Sequence, residues 1–161
     1  MQSVALFDGN ALRAALAGGL VAGALDITYA FVGYGLLGVT PFRILHSVAS
    51  GWLGEAAYEG GAATAALGLA SHLFITCVAA AIYVMASRRL DVLTVRPFLC
   101  GGLFGLIVFG VMNYVVVPLS AAVVGGPRGI FYPLGVLVHI FFVGIPIALF
   151  ARRAGRAFSP G

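Results

Sequence analysis

The chain has 161 residues, 61% hydrophobic and only 9% charged, with a mean hydropathy of +1.09 and a net charge of +4. So apolar a composition excludes an ordinary soluble domain. The basic residues stand singly or in pairs, which excludes a nucleic-acid-binding surface.

Four intervals are nearly free of charge: 14–39, interrupted only by Asp26, then 62–87, 97–127 and 129–151. Each exceeds the roughly 20 residues that a helix needs to cross hydrocarbon. They are continuously apolar and rich in Ala, Leu and Gly, unlike the alternating segments of about ten residues in a membrane β-barrel. The prediction is an all-α membrane protein: a single four-transmembrane-helix domain over 1–161, with spans at about 14–37, 63–87, 97–118 and 131–151. The first span is too long for a signal peptide and contains Asp26, so it is expected to be retained.

"GYGLLGVTP" closes span one, and "PFRILHSVASGWLGEAAYEGG" follows. Phe42, Leu45, Val48, Ala49, Trp52 and Leu53 recur at helical spacing, whereas Arg43, Ser47, Ser50 and Glu55 point elsewhere. Pro41 suits a first helical turn, and Gly60 with Gly61 an end. This predicts an amphipathic helix over about 41–57 lying at the outer interface. Trp52 and Tyr58 would sit at headgroup level, and His46 would be exposed.

Spans two and three are joined by "RRLDVLTVR", and spans three and four by a turn marked by Gly125, Gly126, Pro127 and Gly129. Connections this short favour antiparallel neighbours and an up-down bundle. Arg13, Arg88, Arg89, Arg96, Arg152, Arg153 and Arg156 would share one side, leaving Arg43 and Arg128 on the other. The positive-inside rule then makes both termini cytoplasmic. Cys77 and Cys100 differ in depth by roughly 10 Å along their helices, too far for a disulfide, and read as packing residues.

Two phrases repeat. Arg-x-x-Leu-x-Gly-Gly-Leu opens span one (13–20) and span three (96–103); Leu-Gly-x-x-x-His-x-Phe occurs in span two (67–74) and span four (134–141). The order predicts an internal duplication of a two-helix unit, which makes His72 and His139 symmetry mates about an axis along the membrane normal. The repeated Gly-x-x-x-Gly faces, Gly19 with Gly23 and Gly101 with Gly105, are expected to bring spans one and three together at the cytoplasmic end. The outer ends would then diverge around a cavity, and Pro146 would kink span four.

Counted from the flanking arginines, Asp26, His72, Asn113 and His139 all lie about 20 to 25 Å from the cytoplasmic side, one per span. A carboxylate in hydrocarbon must face the bundle interior and find a donor or a proton. The four are therefore expected to converge on a polar site, with Tyr29 and Tyr114 as secondary members. Several uses stay open. The site could sense pH or pass protons or a small solute. His72 and His139 could bind haem b as axial ligands. Asp26, His72 and His139 could hold a divalent metal. Alternatively the groups could only fix helix pairing, as in a purely structural or partner subunit. No nucleophile, phosphate loop or dinucleotide fingerprint points to an enzyme.

The segments "GGLVAGALD", "LGLASHLFITCVAAAIYVMASRR", "VMNYVVVPLSA" and "HIFFVGIPIALFARR" together resemble a group of small bacterial inner-membrane proteins of four helices, remotely YagU-like. The resemblance covers Gly18 to Arg153. It implies a bacterial inner membrane location and four spans, and brings no substrate, cofactor or catalytic residue. The expected partners are the lipid bilayer and, through Gly and Ala faces, a second copy or another membrane protein.

Overall fold

A computed structural model describes residues 8–123 and 129–156. Among these every regular element is helical. Asp8 caps α1 (Gly9–Gly35) by accepting from the Ala11 amide at 2.7 Å. Gly38, at φ 81°, turns the chain into α2 (Pro41–Leu53), whose first turn carries Pro41 and is capped by Thr40. A 3₁₀ turn (Gly54–Tyr58) leads into α3 (Gly61–Ser87), and the short α4 (Val92–Val95) into α5.

Four helices are long and apolar enough to cross a membrane: α1, α3, α5 (Pro97–Leu119) and α6 (Phe131–Gly155). Against the predicted spans, α1 starts five residues earlier and α6 ends four residues later. The turn assigned to Gly125, Gly126 and Pro127, and the charge of Arg128, lie outside the described residues.

Both later long helices change geometry two residues before a proline. In α5 a π-turn covers Met112–Val116 ahead of Pro118, and in α6 another covers His139–Gly144 ahead of Pro146. Proline withholds an amide and pushes its ring at the carbonyl four residues back, and one widened turn relieves that clash. The expected disturbance at Pro146 thus takes the form of a π-turn that begins at His139.

α1 packs between α3 and α6, and α6 between α1 and α5. Small residues build the core: Ala11, Ala14, Ala15 and Ala22 of α1, Ala79 and Ala80 with Tyr83 and Val84 of α3, and Val143, Ile147, Ala148 and Ala151 of α6. This end is tied by the Arg88–Asp8 ion pair (2.8 Å) and by Tyr83, whose hydroxyl donates to the Leu93 carbonyl at 2.9 Å. At the other end α2 lies across α3, and just beyond α5 the Ala121 amide donates to the Gly51 carbonyl.

The Gly-x-x-x-Gly faces do not bring spans one and three together. A Cβ on Gly19 would come within 2.8 Å of the Cys77 amide nitrogen, and one on Gly23 within 2.6 Å of Thr76 Oγ1, so this face receives α3. A Cβ on Gly101 would meet the Gly144 carbonyl at 2.8 Å, and one on Gly105 would strike the backbone of His139 and Ile140, so this face receives α6. Each pair therefore closes within its own half of the chain.

The contact register repeats: Gly23 meets Leu73 as Gly105 meets Ile140, and Gly19 meets Cys77 as Gly101 meets Gly144. That places Gly19 opposite Gly101, one residue away from the register of the Arg-x-x-Leu repeat. The glycines that touch a partner backbone set the register, because the leucines of that phrase face outward.

α2 departs from expectation at His46, which is buried rather than exposed. Its buried residues are Ile44, His46, Ala49 and Ser50, while Phe42, Trp52 and Leu53 are exposed. The inner side is small because α2 crosses α3 at Gly68, where a Cβ would collide with the Leu45 carbonyl. Bulky side chains cannot enter such a crossing and stay outside. His46 is buried, its Nε2 donating to the Gly61 carbonyl at 2.8 Å to tie α2 to the start of α3.

Candidate functional site

In both copies of Leu-Gly-x-x-x-His-x-Phe the Leu and Phe face outward and the Gly and His turn inward. Gly23 lets α3 come close enough for His72 Nε2 to donate to the Gly23 carbonyl at 3.0 Å, across the α1–α3 crossing. On α6, His139 Nδ1 donates to the Gly135 carbonyl of its own helix at 2.9 Å. Its ring stands edge-on to Phe109 at 5.2 Å, a contact made room for by Gly135, whose Cβ would lie 3.0 Å from that ring.

Asp26 sits between the two imidazoles. Its Oδ2 is 3.8 Å from His72 Nε2 and its Oδ1 3.8 Å from His139 Nδ1, with all three side chains less than one-fifth exposed. A carbonyl only accepts, so the nitrogens bonded to Gly23 and Gly135 must carry hydrogen. Asp26 thus faces two N–H groups already engaged elsewhere, at ion-pair distance but beyond hydrogen-bond distance. In the register of the helix contacts its counterpart on α5 is Val108, so one carboxylate serves both histidines.

These hydrogens decide what the triad can ligate. A metal ligand must present a lone pair, and the two nitrogens facing Asp26 present protons. Among the described residues no group of three His, Cys, Asp or Glu side chains is placed to hold a metal ion.

All four predicted residues line one cavity of about 1180 Å³. Asn113 shares the wall but spends its amide on the Phe109 carbonyl at 2.9 Å, four residues back, and does not serve Asp26. Tyr29 lines the cavity, and its hydroxyl is buried with no hydrogen-bond partner among the described residues. Tyr114 does not join: it is two-thirds exposed and bonds Tyr132 through the two hydroxyls at 2.6 Å. Adjacent helical residues point about 100° apart, and here Asn113 takes the cavity side while Tyr114 takes the outer one.

No known family model, curated protein or solved structure matches the chain. The chemistry of the cavity is therefore the ground for function.

Sequence reasoning missed the part of the cavity that α2 supplies. Arg43, Ser47 and Trp52 line it, with Ser71 and Thr76 from α3 and Tyr34 from α1. Arg43 lies over the Tyr58 ring at 5.3 Å, and Trp52 Nε1 donates to Ser71 Oγ at 3.1 Å. The polar side of α2 was visible as a pattern. What it faced depended on which side of α2 packs on Gly68.

Proposed function

We propose that the chain is an integral protein of a bacterial inner membrane, crossing it four times in up-down order with both termini cytoplasmic, and that it acts without enzymatic chemistry. Leu16, Leu20, Leu103, Ile107 and Phe141, all exposed on the long helices, support insertion, since a soluble protein does not present so continuous an apolar surface. The Asp8–Arg88 pair supports the up-down order, because it joins the start of α1 to the end of α3. The arginines at 88, 89, 96, 152 and 153 belong to the same end, in keeping with the positive-inside rule.

Within that frame Asp26 holds a proton, and its gain or loss drives proton-linked sensing or translocation. The observation that carries this reading is one intramembrane carboxylate at 3.8 Å from each of two imidazoles. An unpaired carboxylate in this setting is costly. It can be neutralised by taking a proton or by protonation of either histidine, and imidazole is the side chain that changes charge under mild conditions. An ion pair at that spacing amounts to about 4 kcal/mol at an effective dielectric constant of about 20. Each histidine keeps a second nitrogen, His72 Nδ1 and His139 Nε2, to accept that proton.

Infrared difference spectra between acid and alkaline pH test the reading. Wild type is expected to show a carboxylic acid band that disappears in Asp26→Asn and moves in His72→Gln and His139→Gln. Identical spectra for wild type and Asp26→Asn exclude a proton at this site. A purely structural role is the second reading, favoured by the His72–Gly23 bond between helices. It predicts that Asp26→Asn leaves the difference spectrum unchanged while His72→Ala destabilises the fold.

A further inference from the structure

A proton needs only a file of water molecules, yet the space beside Asp26 is about 1180 Å³, above the range of about 300 to 1,000 Å³ typical of sites for drug-sized molecules. Its walls are mostly apolar, with Ile27, Ile44, Val108, Val116 and Val138 among them. Six aromatic side chains also line it: Tyr29, Tyr34, Trp52, Tyr58, Phe109 and Phe131. Tyr34 and Phe131 stack at 4.7 Å, joining α1 to α6 along this wall.

The polar groups are unevenly satisfied. Asp26 receives no hydrogen bond among the described residues, because the N–H groups of His72 and His139 go to carbonyls. The Tyr29 hydroxyl on the next turn of α1 is buried and unpartnered. Arg43 is the one cationic side chain of the lining; it lies over Tyr58 and forms no ion pair with Asp26. A lone carboxylate in an apolar chamber walled by aromatic faces has the chemistry of a cation site. The carboxylate supplies the counter-charge, the ring faces attract positive charge, and the aliphatic walls take up apolar bulk.

We infer that this cavity binds a lipophilic monovalent organic cation, with Asp26 as its counter-ion, in exchange for a proton. The inference rests on the proton-holding role of Asp26 proposed above and names what that proton is exchanged for. Charge balances: one proton leaves Asp26, or an adjacent imidazole, as one monovalent cation arrives. The groups that face Asp26 and shape the pH response are His72 from α3, His139 from α6, Tyr29 and Tyr34 from α1 itself, and Arg43 and Tyr58 across the cavity from the α2 segment. α5 contributes Asn113 and no titratable side chain to this wall.

Calorimetry on the purified full-length protein in detergent, with tetraphenylphosphonium as probe, tests this. Its anionic shape-mate tetraphenylborate serves as control. Wild type is expected to bind the cation saturably, more weakly as pH falls, and to release a proton into weakly buffered solution on binding. Asp26→Asn is expected to weaken the cation by at least about tenfold, since a desolvated counter-charge is lost, and to leave tetraphenylborate no weaker. Ala30→Phe puts a ring into the cavity wall and keeps all three residues of the triad. It is expected to block the cation while the carboxylic acid band of Asp26 persists, which keeps the test valid should Asp26→Asn fold poorly. Saturable binding unchanged by both substitutions, or equal binding of cation and anion, overturns the inference. A persistent Asp26 band with no cation binding overturns it while sparing the proton-holding role. Asp26-dependent cation binding without proton release overturns the exchange and, with it, the proton-linked reading.

Discussion

Replacing Gly144 by alanine is the sharpest test of how this bundle closes. In an open helical position Gly→Ala stabilises by about 1 kcal/mol through lower backbone entropy. Gly110 on α5 is such a position, for a Cβ there meets nothing within 4 Å. At Gly144 the same methyl would land on the Gly101 carbonyl, 2.5 Å from the Gly105 nitrogen and 2.8 Å from the Gly105 Cα. All three are backbone atoms of α5 and cannot swing aside as a side chain would. Comfortable carbon contacts lie near 3.5 to 4.0 Å, so α5 and α6 must part by about 1 Å. Overpacking of this kind costs about 1 to 3 kcal/mol, and the absence of any yielding group puts Gly144 at the upper end. The net expectation is a loss of about 2 kcal/mol for Gly144→Ala against a gain of up to about 1 kcal/mol for Gly110→Ala. Unfolding in detergent can be followed through the single tryptophan, Trp52, which bonds Ser71 across the α2–α3 contact. A Gly144→Ala protein as stable as Gly110→Ala would refute the close α5–α6 crossing, and with it the repeated contact register.

Further outcomes can be checked in the same way. The bond from the Ala11 amide, and next the Arg88 guanidinium, hold the Asp8 carboxyl below its ordinary range. A carboxyl lowered in the folded state adds stability that is complete above its unfolded pKa and drains away as pH falls through the folded value. Asp8→Asn should therefore flatten the acid side of the melting-temperature profile, and an unaltered acid side would count against that bond. His46→Ala removes the tie to Gly61 from a buried position and should cost about 1 to 3 kcal/mol in the same unfolding assay; a neutral result would mean that His46 faces solvent. Tyr83→Phe deletes only the hydroxyl that reaches the Leu93 carbonyl and should cost about 1 kcal/mol. Tyr114→Phe should change neither the infrared signature of Asp26 nor cation binding, because its hydroxyl meets Tyr132 outside the cavity.

The four long helices, their approximate ends and the inward turn of Asp26, His72 and His139 were legible in the chain, because each follows from a local cost. An uncharged run of more than 20 residues is settled by hydropathy and rise per residue, and a carboxylate within such a run by the expense of leaving it in hydrocarbon. Helix pairing was not legible. Gly19, Gly23, Gly101 and Gly105 announce close crossings but name no partner, and the bundle joins α1 to α3 and α5 to α6 where a contact between α1 and α5 reads equally well from the spacing. The burial of His46 went the same way: nothing in the spacing of α2 shows that Leu45 and Ala49 pack over Gly68 and that His46 turns inward to the Gly61 carbonyl. Direction on a helix surface likewise parted Asn113 from Tyr114. Composition and periodicity thus determined which segments form long apolar helices and which of their polar residues turn inward, since those follow from each segment alone. Only the tertiary structure decided which surfaces meet, because steric fit between two helices depends on both at once.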